Sequence, residues 1–243
     1  MDKDYETVLW VSDHHVPYHD VKAIKGTIDL AKDIQPDKII FGGDVVDFYQ
    51  VSSFDKDVNR AFKLQQDVDK GHEMLLQYRC ACPDTEMIYL EGNHEVRMKR
   101  YLKKNPELSG LRALTVPALL ELDELDIEYR DNLFYKGFLF KHGDYTNKYH
   151  ANKELEVEGI SGMAGHNHRN QMMARSDRRG DRAWYSVGHL SDVAKQDYMS
   201  NKAVNWQQGI AIIHFKKRSK RFHVTSIPLS SSKFIYNGKE YGG

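Results

Sequence analysis

The sequence predicts an α/β fold in which two packed β-sheets carry helices on their outer sides. Short apolar runs alternate with helical patterns in the first half of the chain, which implies parallel strands joined through helices. From Ile127 onward, closely spaced short strands follow one another, and only one good helix interrupts them. No linker rich in Pro, Gly or Ser divides the 243 residues, so we expect one domain.

Three strands and two helices are predicted in the first half. Residues 7–12 form a short apolar run, as expected of a buried strand, and the glycine-containing pairs Gly42-Gly43 and Glu91-Gly92 end the next two strands. The first helix carries Ile24 and Ala31 on one apolar face. In chain order, the predicted elements are strand 7–12, helix 21–34, strand 38–41, helix 58–78 and strand 86–90.

Six short strands and one helix are predicted in the second half. Lys136-Gly137 has the composition of a hairpin turn between the first two strands, and the helix is expected over residues 148–157. Residues from about 230 to 243 are polar, and we expect a surface tail there. The predicted strands are 133–135, 138–141, 160–164, 183–187, 209–215 and 221–227.

Composition excludes several classes of protein. Lys plus Arg and Asp plus Glu each number 35, so the formal net charge of zero argues against a generally basic nucleic-acid coat and an acidic tail protein. No apolar run approaches the ~20 residues of a membrane span, and the polar first residues are unlike a secretory signal. Cys80 and Cys82 are too close for an unstrained disulfide. We therefore expect a cytoplasmic protein that makes no membrane contact.

Five short clusters of Asp, Asn and His follow predicted strands, and they hold many of the 12 histidines. Ligands of α/β folds bind at the carboxyl ends of strands, so these clusters are expected to form one site. The clusters are Ser12-Asp13-His14-His15, Gly42-Gly43-Asp44-Val45-Val46-Asp47, Gly92-Asn93-His94-Glu95, His142-Gly143-Asp144 and Gly165-His166-Asn167-His168.

These side chains are ligands that suit divalent transition metals. Asp13 and His15 would lie on the same side of an extended chain, and His166 and His168 repeat that spacing. Asp44 has two carboxylate oxygens, so it can bridge two ions. Seven candidate ligands are too many for one tetrahedral ion and suit a pair of ions.

Each cluster taken alone also has a structural interpretation. An Asp-x-His pair is common, a Gly-Asn-His-Glu run is compatible with a capped helix, and Gly-His-x-His is compatible with a surface turn. The occurrence of all five clusters, each after a strand, favours a metal site over five separate coincidences.

The ordered set resembles the calcineurin-like metallophosphoesterase superfamily. The resemblance implies a four-layer αββα sandwich of two mixed β-sheets flanked by helices, with residues 1–243 forming a single metallophosphoesterase domain. Compact members with similar spacing are encoded by phages. The matching residues are Asp13-x-His15, Gly43-Asp44-x-x-Asp47, Gly92-Asn93-His94-Glu95, His142 and Gly165-His166-x-His168.

The resemblance also implies a role for each residue. His94 would face the scissile phosphate without binding metal, and Asp47 would orient its ring. Asp44 would bridge the two metals. One metal would take Asp13, His15 and His168, and the other would take Asn93, His142 and His166.

The function implied is a binuclear-metal-dependent phosphoester hydrolase. Manganese is the expected metal, with iron, zinc and nickel as alternatives. Two such cations lower the pKa of a shared water, which as hydroxide attacks phosphorus in line. His94 would assist by protonating the leaving oxygen.

Two neighbouring families fit less well. Asp13-His14-His15 spells the signature of a different phosphoesterase family, but that family has no use for Asn93-His94 or for His166-x-His168. Protein Ser/Thr phosphatases of the calcineurin-like fold usually continue their second motif with Arg-Gly, whereas Phe48-Tyr49 follows Asp47 here.

The substrate is less well defined by the sequence. Arg97 follows His94 by three residues and is the predicted substrate-binding residue; a solvated helix face is the alternative for the lysines that follow it. A phosphodiesterase is favoured, with a nuclease acting on DNA or RNA and a phosphomonoesterase as alternatives. A non-catalytic binding scaffold is less favoured because every ligand position is filled. The oligomeric state stays open.

Overall fold

The computed structural model describes residues 4–55, 63–196 and 204–243 and contains two large mixed sheets, whose inner strands are buried. The first sheet has the strand order β11-β10-β1-β2-β3-β4, and the second has the order β5-β6-β7-β9-β8. The strands are β1 (Tyr5–Val11), β2 (Lys38–Phe41), β3 (Glu86–Leu90), β4 (Ile127–Arg130), β5 (Asn132–Tyr135), β6 (Phe138–Lys141), β7 (Ser161–Ala164), β8 (Gln171–Asp177), β9 (Gly180–Ser186), β10 (Gly209–Lys216), β11 (Phe222–Pro228), β12 (Lys233–Tyr236) and β13 (Lys239–Gly242).

Helices cover the outer faces of both sheets. Helix α1 begins after Asp20, whose side chain caps the free N–H groups of the first turn, and α3 begins directly after His94. The α-helices of the described residues are α1 (Val21–Ile34), α2 (Leu64–Ala81), α3 (Glu95–Lys104), α4 (Val116–Leu119) and α5 (His150–Glu158). None of these combines the length and the apolar character that crossing a membrane would require.

Side-chain alternation in β1 shows how the layers are stacked. Leu9 and Val11 belong to a core shared with α1 and α2, whereas Val8 and Trp10 point to the opposite face and pack with residues of the second sheet, such as Phe140. Trp10 and Phe140 stack with their ring centroids 5.9 Å apart. A third cluster joins the far face of the second sheet to α5. The order helix, sheet, sheet, helix confirms the αββα sandwich.

Strand directions match the alternation predicted from the sequence. Strands β1 to β4 run parallel, while β10 pairs antiparallel with β1 and β11 antiparallel with β10. In the second sheet, β6, β7 and β9 are parallel, and β5 and β8 are antiparallel edges. The carboxyl ends of β1, β2 and β3 therefore lie along one edge of the first sheet.

Several elements differ from the sequence predictions. Strands β4 and β8 were not predicted, because each lies at a sheet edge and is largely exposed, so it lacks a clear apolar pattern. The predicted helix 58–78 appears as α2 at Leu64–Ala81, and its first residues, 58–62, lie outside the described part of the chain.

The expected polar tail is instead a β-hairpin. Strands β12 and β13 pair across Asn237-Gly238, both of which have positive φ, the dipeptide that type I′ turns prefer. Phe234 and Tyr241 stack and are buried in the core beside α1. Gly26 of α1 permits this contact, because a Cβ there would lie 2.5 Å from the Gly242 nitrogen. The prediction of a tail was wrong because a two-residue apolar face is a weak signal.

Candidate metal centre

The loops that follow β1, β2, β3, β6 and β7 meet at one place between the two sheets. Five of the candidate ligands within these loops adopt the left-handed backbone region that non-glycine residues rarely occupy. Their φ angles are 55° at Asp13, 51° at His15, 51° at Asp44, 69° at His166 and 59° at His168. The expectation that an extended chain places these side chains on one side is therefore wrong. Turns, rather than the alternation of side chains along a strand, bring them inward.

Two glycines let the loops approach the carboxylates closely. A Cβ at Gly165 would lie 2.2 Å from both Asp13 Oδ2 and Ser12 Oγ. A Cβ at Gly92 would lie 2.3 Å from Asp44 Oδ1. These glycines leave space that any side chain would remove, which explains their place in the motifs.

Asp13, His15 and His168 form the first group of converging ligand atoms. The Nε2 atoms of His15 and His168 are 3.0 Å apart, and Asp13 Oδ1 is 3.2 Å from His168 Nε2. All three residues are buried. The set predicted from the sequence for one metal is thus brought together, although His15 and His168 are 153 residues apart.

His142, His166 and Asn93 converge in the same way next to the first group. His142 Nε2 lies 3.0 Å from Asn93 Oδ1 and 3.2 Å from His166 Nδ1. Asp44 Oδ2 is 3.3 Å from His142 Nε2 and 3.9 Å from His15 Nε2. One carboxylate oxygen therefore lies within reach of both groups, as a bridging ligand must.

Charge in the centre also suits cations. Burial alone would raise the carboxyl pKa values, yet the His168 imidazole holds the pKa of Asp13 below its ordinary range, and His142 and His94 do the same for Asp44. Buried carboxylates that stay ionised among imidazole side chains are the donor set of a transition-metal site. The residues present fit two divalent cations.

His142 and His166 differ in their affinity for a proton. Burial opposes a charge on both rings, but the Asp44 carboxylate raises the pKa of His142 to about 10. Burial and the neighbouring His142 lower the pKa of His166 to about 4. A cation that binds His142 must displace that ring's proton, so metal uptake here is coupled to proton release.

His94 lies at the edge of the centre and contacts Asp47, the residue expected to orient its ring. Its Nδ1 atom is 3.0 Å from the Asp47 carbonyl oxygen and 3.3 Å from the Asp47 carboxylate. Arg97 Nη2 lies 2.9 Å from His94 Nε2. Because a guanidinium only donates, Nε2 accepts this bond and the ring proton is on Nδ1, where it is donated to Asp47.

Arg97 is tied more closely to the protein than the sequence indicated. Its Nη1 donates to the Asp47 carbonyl at 2.7 Å and to Asp47 Oδ1 at 3.1 Å, while Nη2 donates to His94. The guanidinium also lines the cavity beside Asn93. Arg97 therefore positions His94 and Asp47 in this structure, and substrate binding by Arg97 stays a prediction.

Glu95 is a residue whose role the sequence reasoning missed. It is fully buried and accepts hydrogen bonds from the backbone N–H groups of Asp44 at 2.9 Å, Val45 at 3.0 Å and Gly92 at 2.9 Å, and from Tyr89 Oη at 2.6 Å. One carboxylate thus fixes the two loops that carry Asp44 and Asn93. An acidic residue directly after Asn-His, at the start of a helix, was the available signal.

Trp206 is a second residue that the predicted site omitted. Its ring meets His168 edge-on with centroids 4.2 Å apart, and His189 packs beside both rings, with its centroid 5.0 Å from His168 and 5.8 Å from Trp206. His189 Nδ1 in turn contacts Ser191 Oγ at 2.8 Å. These aromatic contacts hold the ring of His168 in place.

A separate cluster of three carboxylates is not assigned to a metal. Asp144, Glu154 and Glu158 come together beside the second sheet. Lys141 lies among them, with its Nζ 3.0 Å from Glu154 and 2.7 Å from Glu158, and it also contacts Asp144. The lysine ammonium already supplies the cation for these carboxylates.

The comparison with protein families decides the identity of the fold. A model of the calcineurin-like phosphoesterase family matches residues 6–214. The chain belongs to this family. The calcineurin-like phosphoesterase described here therefore has its candidate metal ligands within a matched domain that covers most of its length.

Relatives of this calcineurin-like phosphoesterase occur in phages. The Gene 54 protein of Mycobacterium phage L5 is 24% identical over 250 residues, covering 96% of this chain and 97% of its own. The Gene 54 protein of Mycobacterium phage D29 is 25% identical over 224 residues, covering 85% and 88% of the two chains. The predicted likeness to phage members is confirmed.

Among solved structures, Vacuolar Protein Sorting 29 from Cryptosporidium parvum shares the fold. Its TM-score is 0.51 at 11% identity, with 98% of this chain and 99% of that chain covered. The likeness extends over the whole sandwich, and at this identity it concerns the fold alone.

Proposed function

We propose that this calcineurin-like phosphoesterase is a binuclear-metal-dependent phosphodiesterase. The observation that carries the proposal is the position of Asp44, whose Oδ2 lies within 4 Å of imidazole nitrogens from both ligand groups and from His94. A shared carboxylate with a third imidazole beside it is the arrangement that two-metal phosphoester hydrolysis needs.

Asp13, His15 and His168 would hold one cation, Asn93, His142 and His166 the other, and Asp44 both. Bound together, two divalent cations supply a hydroxide nucleophile at neutral pH and neutralise charge on the phosphoryl oxygens. Manganese is the proposed metal, since a mixed set of imidazoles and carboxylates accepts it, and the same donors accept iron, zinc and nickel.

His94 would assist the departure of the leaving group. To donate from Nε2, the ring must carry a proton there, and the Arg97 guanidinium now donates to that atom. An incoming phosphate competes for Arg97, because a guanidinium binds a phosphate through two parallel hydrogen bonds. We therefore propose that the substrate draws Arg97 away and frees His94 Nε2, while Asp47 keeps hold of Nδ1.

A diester suits the surroundings of the centre better than a monoester. A cavity of about 810 Å³ opens beside Asn93 and Arg97 and continues along α3 to Lys104. A monoester ends at the transferred phosphate, whereas a diester carries a second substituent that can occupy this space. A phosphomonoesterase is the second candidate, and a non-catalytic scaffold is disfavoured because the ligand positions and His94 are all filled.

We further propose that residues 1–243 act as one domain in the cytoplasm. The two cysteines support this compartment, since Cys80 is exposed, Cys82 is buried, and both are free thiols.

The test is hydrolysis of bis(4-nitrophenyl) phosphate and of 4-nitrophenyl phosphate by protein reconstituted with manganese. We expect the diester to be the better substrate and His94→Ala to lose ~100-fold or more of the activity. His223→Ala is the matched control, because this exposed histidine of β11 is remote from the centre. Inactivity of the folded protein with manganese, iron, zinc and nickel would exclude the proposal.

A further inference from the structure

The cavity beside the metal centre is a groove whose cationic wall is one face of α3. Arg100 and Tyr101 lie three and four residues after Arg97. Lys104 lies three residues after Tyr101 and four after Arg100, so the four side chains share that face. The face extends ~10 Å away from Asn93, given the rise of a helix. We call this cavity the α3 groove.

Charge in the α3 groove is of one sign. Arg97, Arg100, Lys103 and Lys104 line it, and no carboxylate does so within the part of the chain that the structure describes. Lys99 of the same helix pairs with Glu91 instead and does not line the groove. In a chain with a net charge of zero, this concentration of cations is a local feature.

Among the described residues, the cations farther from the metal centre form no ion pair. Arg97 is held by Asp47 and His94. By contrast, no ion pair joins Arg100, Lys103 or Lys104 to a carboxylate among residues 4–55, 63–196 and 204–243, and all three are exposed. Such groups stay available for an anionic ligand, and their charges lie beyond the phosphate at the centre.

Two aromatic rings also line the groove. Phe54 is 71% exposed and Tyr101 is 37% exposed. Exposed rings alongside a row of cations are what proteins use to bind single-stranded nucleic acids, because bases stack on the rings while the cations contact phosphates.

We propose that the α3 groove binds a single-stranded polynucleotide and presents one of its phosphodiester bonds to the metal centre. The inference rests on the proposed phosphodiesterase function and names its substrate class. Arg100 and Lys104 contact backbone phosphates next to the scissile one, and Tyr101 and Phe54 stack on bases. No side chain that reads a particular base is needed, so DNA and RNA strands share the chemistry described.

Other occupants explain the groove less completely. An acidic peptide would satisfy the cations but leaves the phosphodiester chemistry of the centre unused. In a duplex the bases are already paired and stacked, so they are not available to Phe54 and Tyr101. A single strand uses the cations, the rings and the metal centre together.

Binding is tested on the full, metal-loaded chain carrying His94→Ala, so that the probe survives. The probes are fluorescein-labelled oligothymidylate and oligouridylate of about 12 nucleotides, followed by fluorescence anisotropy. We expect Arg100→Ala with Lys104→Ala to weaken binding ~10-fold or more. The slope of log affinity against log salt should become shallower by about 1.4, because two phosphate contacts are lost. Tyr101→Ala should weaken binding at least about fivefold.

Arg218→Ala with Lys220→Ala is the matched control. These two exposed cations lie in the turn between β10 and β11, beside the start of β1, whereas the metal ligands follow the end of β1. Equal weakening by the control pair would overturn the proposal, as would equal binding of a duplex of the same length. Binding of either DNA or RNA supports it, and the tighter of the two identifies the natural strand.

Cleavage separates this inference from the function on which it rests. In the chain with His94 intact, the groove variants should lower the ratio of oligonucleotide cleavage to bis(4-nitrophenyl) phosphate hydrolysis ~10-fold, and the control pair should not. If the small diester is hydrolysed but oligonucleotides are neither bound nor cut, the groove proposal fails alone. If oligonucleotides bind through α3 but no diester is hydrolysed, the phosphodiesterase proposal fails alone.

Discussion

Arg97 and His94 form a hydrogen-bonded pair in which each side chain restricts the position of the other. The guanidinium lies 2.9 Å from His94 Nε2, so a proton on that nitrogen and the arginine compete for the same place. Asp47 contacts both side chains, at 3.1 Å from Arg97 and 3.3 Å from His94. Two residues, Asp47 and Arg97, therefore hold the His94 ring in position.

Replacing Arg97 should therefore change turnover more than substrate affinity. We expect Arg97→Ala to lower kcat on bis(4-nitrophenyl) phosphate ~10-fold or more, and Arg97→Lys to restore little, because an ammonium cannot make the same forked contact with Asp47 and His94. Steady-state kinetics measure both parameters. Lys99→Ala is the control, because Lys99 lies on the same helix but pairs with Glu91. A raised KM with unchanged kcat would show that Arg97 only binds substrate.

Glu95 supports the loops of the candidate metal centre without being one of its candidate ligands. Its carboxylate accepts from the backbone N–H groups of Asp44, Val45 and Gly92, and all three hydrogen bonds are buried. The neutral amide of a glutamine would direct its own N–H groups at some of these donors. An unsatisfied buried donor costs about 1–3 kcal/mol.

We expect Glu95→Gln to weaken metal binding ~10-fold or more and to lower the free energy of unfolding by about 2 kcal/mol. Calorimetric titration with manganese and urea unfolding measure the two effects. Glu154→Gln is the control, since Glu154 is also buried but contacts Lys141 and the Asp144 nitrogen instead. That variant should lose stability while keeping its metal affinity. Equal metal affinity of Glu95→Gln and the unaltered chain would contradict the assignment.

Among the elements, α1 is joined to two distant segments through its N-cap. Asp20 Oδ1 accepts from the nitrogens of Lys22 at 3.0 Å and Ala23 at 3.1 Å. Asp20 Oδ2 accepts from Gln208 Nε2 at 2.8 Å and Ser232 Oγ at 2.5 Å. One side chain therefore fixes the helix start, the approach to β10 and the turn that leads into β12.

The stabilisation by Asp20 should depend on pH. Partial burial raises the pKa of Asp20, but the hydrogen bonds from Gln208 and Ser232 outweigh burial and lower it. Because the pKa of Asp20 is lowered in the folded chain, its contribution to the free energy of unfolding is complete above the ordinary Asp pKa near 4. This contribution is lost as the pH falls through the pKa of the folded state. We expect Asp20→Asn to unfold about 1 kcal/mol more easily at pH 7, because an amide nitrogen in place of Oδ2 cannot accept from Gln208 and Ser232. The difference from the unaltered chain should shrink below about pH 4.

Urea unfolding at a series of pH values measures this difference. Asp29→Asn is the control, because Asp29 makes an exposed pair with Lys25 four residues away, which contributes little. A difference between Asp20→Asn and the unaltered chain that grows on acidification would contradict the sign.

The success of sequence-based prediction varied with burial of the element. Helix α1 and strands β2, β3 and β6 were predicted at the bounds that they have, because buried apolar residues define them and glycine or polar pairs end them. The edge strands β4 and β8 lack such a pattern. Asn237-Gly238 is a sequence signal for the hairpin of β12 and β13. The hairpin was still not predicted, because its strands are short.

The candidate site was predictable at the level of residue types, and its contacts were not. The seven candidate ligands come together as the motifs indicate, since each loop follows a strand of known direction. The hold of Arg97 on His94 and the edge contact of Trp206 with His168 depend on three-dimensional packing between segments far apart in sequence. No local pattern encodes such contacts.

At the scale of the whole molecule, the metal centre connects the two sheets. Asp13, Asp44 and Asn93 follow strands of the first sheet, while His142 and His166 follow strands of the second. Cations held by all of them would join the sheets at the edge where the loops meet. Ligands that bind the native state only should stabilise the whole sandwich.

We expect manganese at about 100 times its Kd to stabilise the chain by about 2.7 kcal/mol and to raise its Tm by about 5–10 °C. Asp44→Asn should lose most of this effect, because Asp44 reaches both ligand groups. Asp144→Asn is the control, since its carboxylate contacts Lys141 outside the centre. Differential scanning calorimetry measures the shift. A Tm of the unaltered chain that does not respond to any of the four metals would contradict a native two-metal site.

The pairing of β1 with β10 also determines how late during synthesis the first sheet can be completed. β1 is an inner strand of the first sheet, and its residues Tyr5–Trp10 pair with 211–216, some 200 positions later. A ribosome adding 5–20 residues per second needs about 10–40 s to make the intervening chain. During that interval β1 has one unpaired edge. The sandwich can close only after β10 emerges, so the nascent chain has to be kept from associating with its neighbours until then.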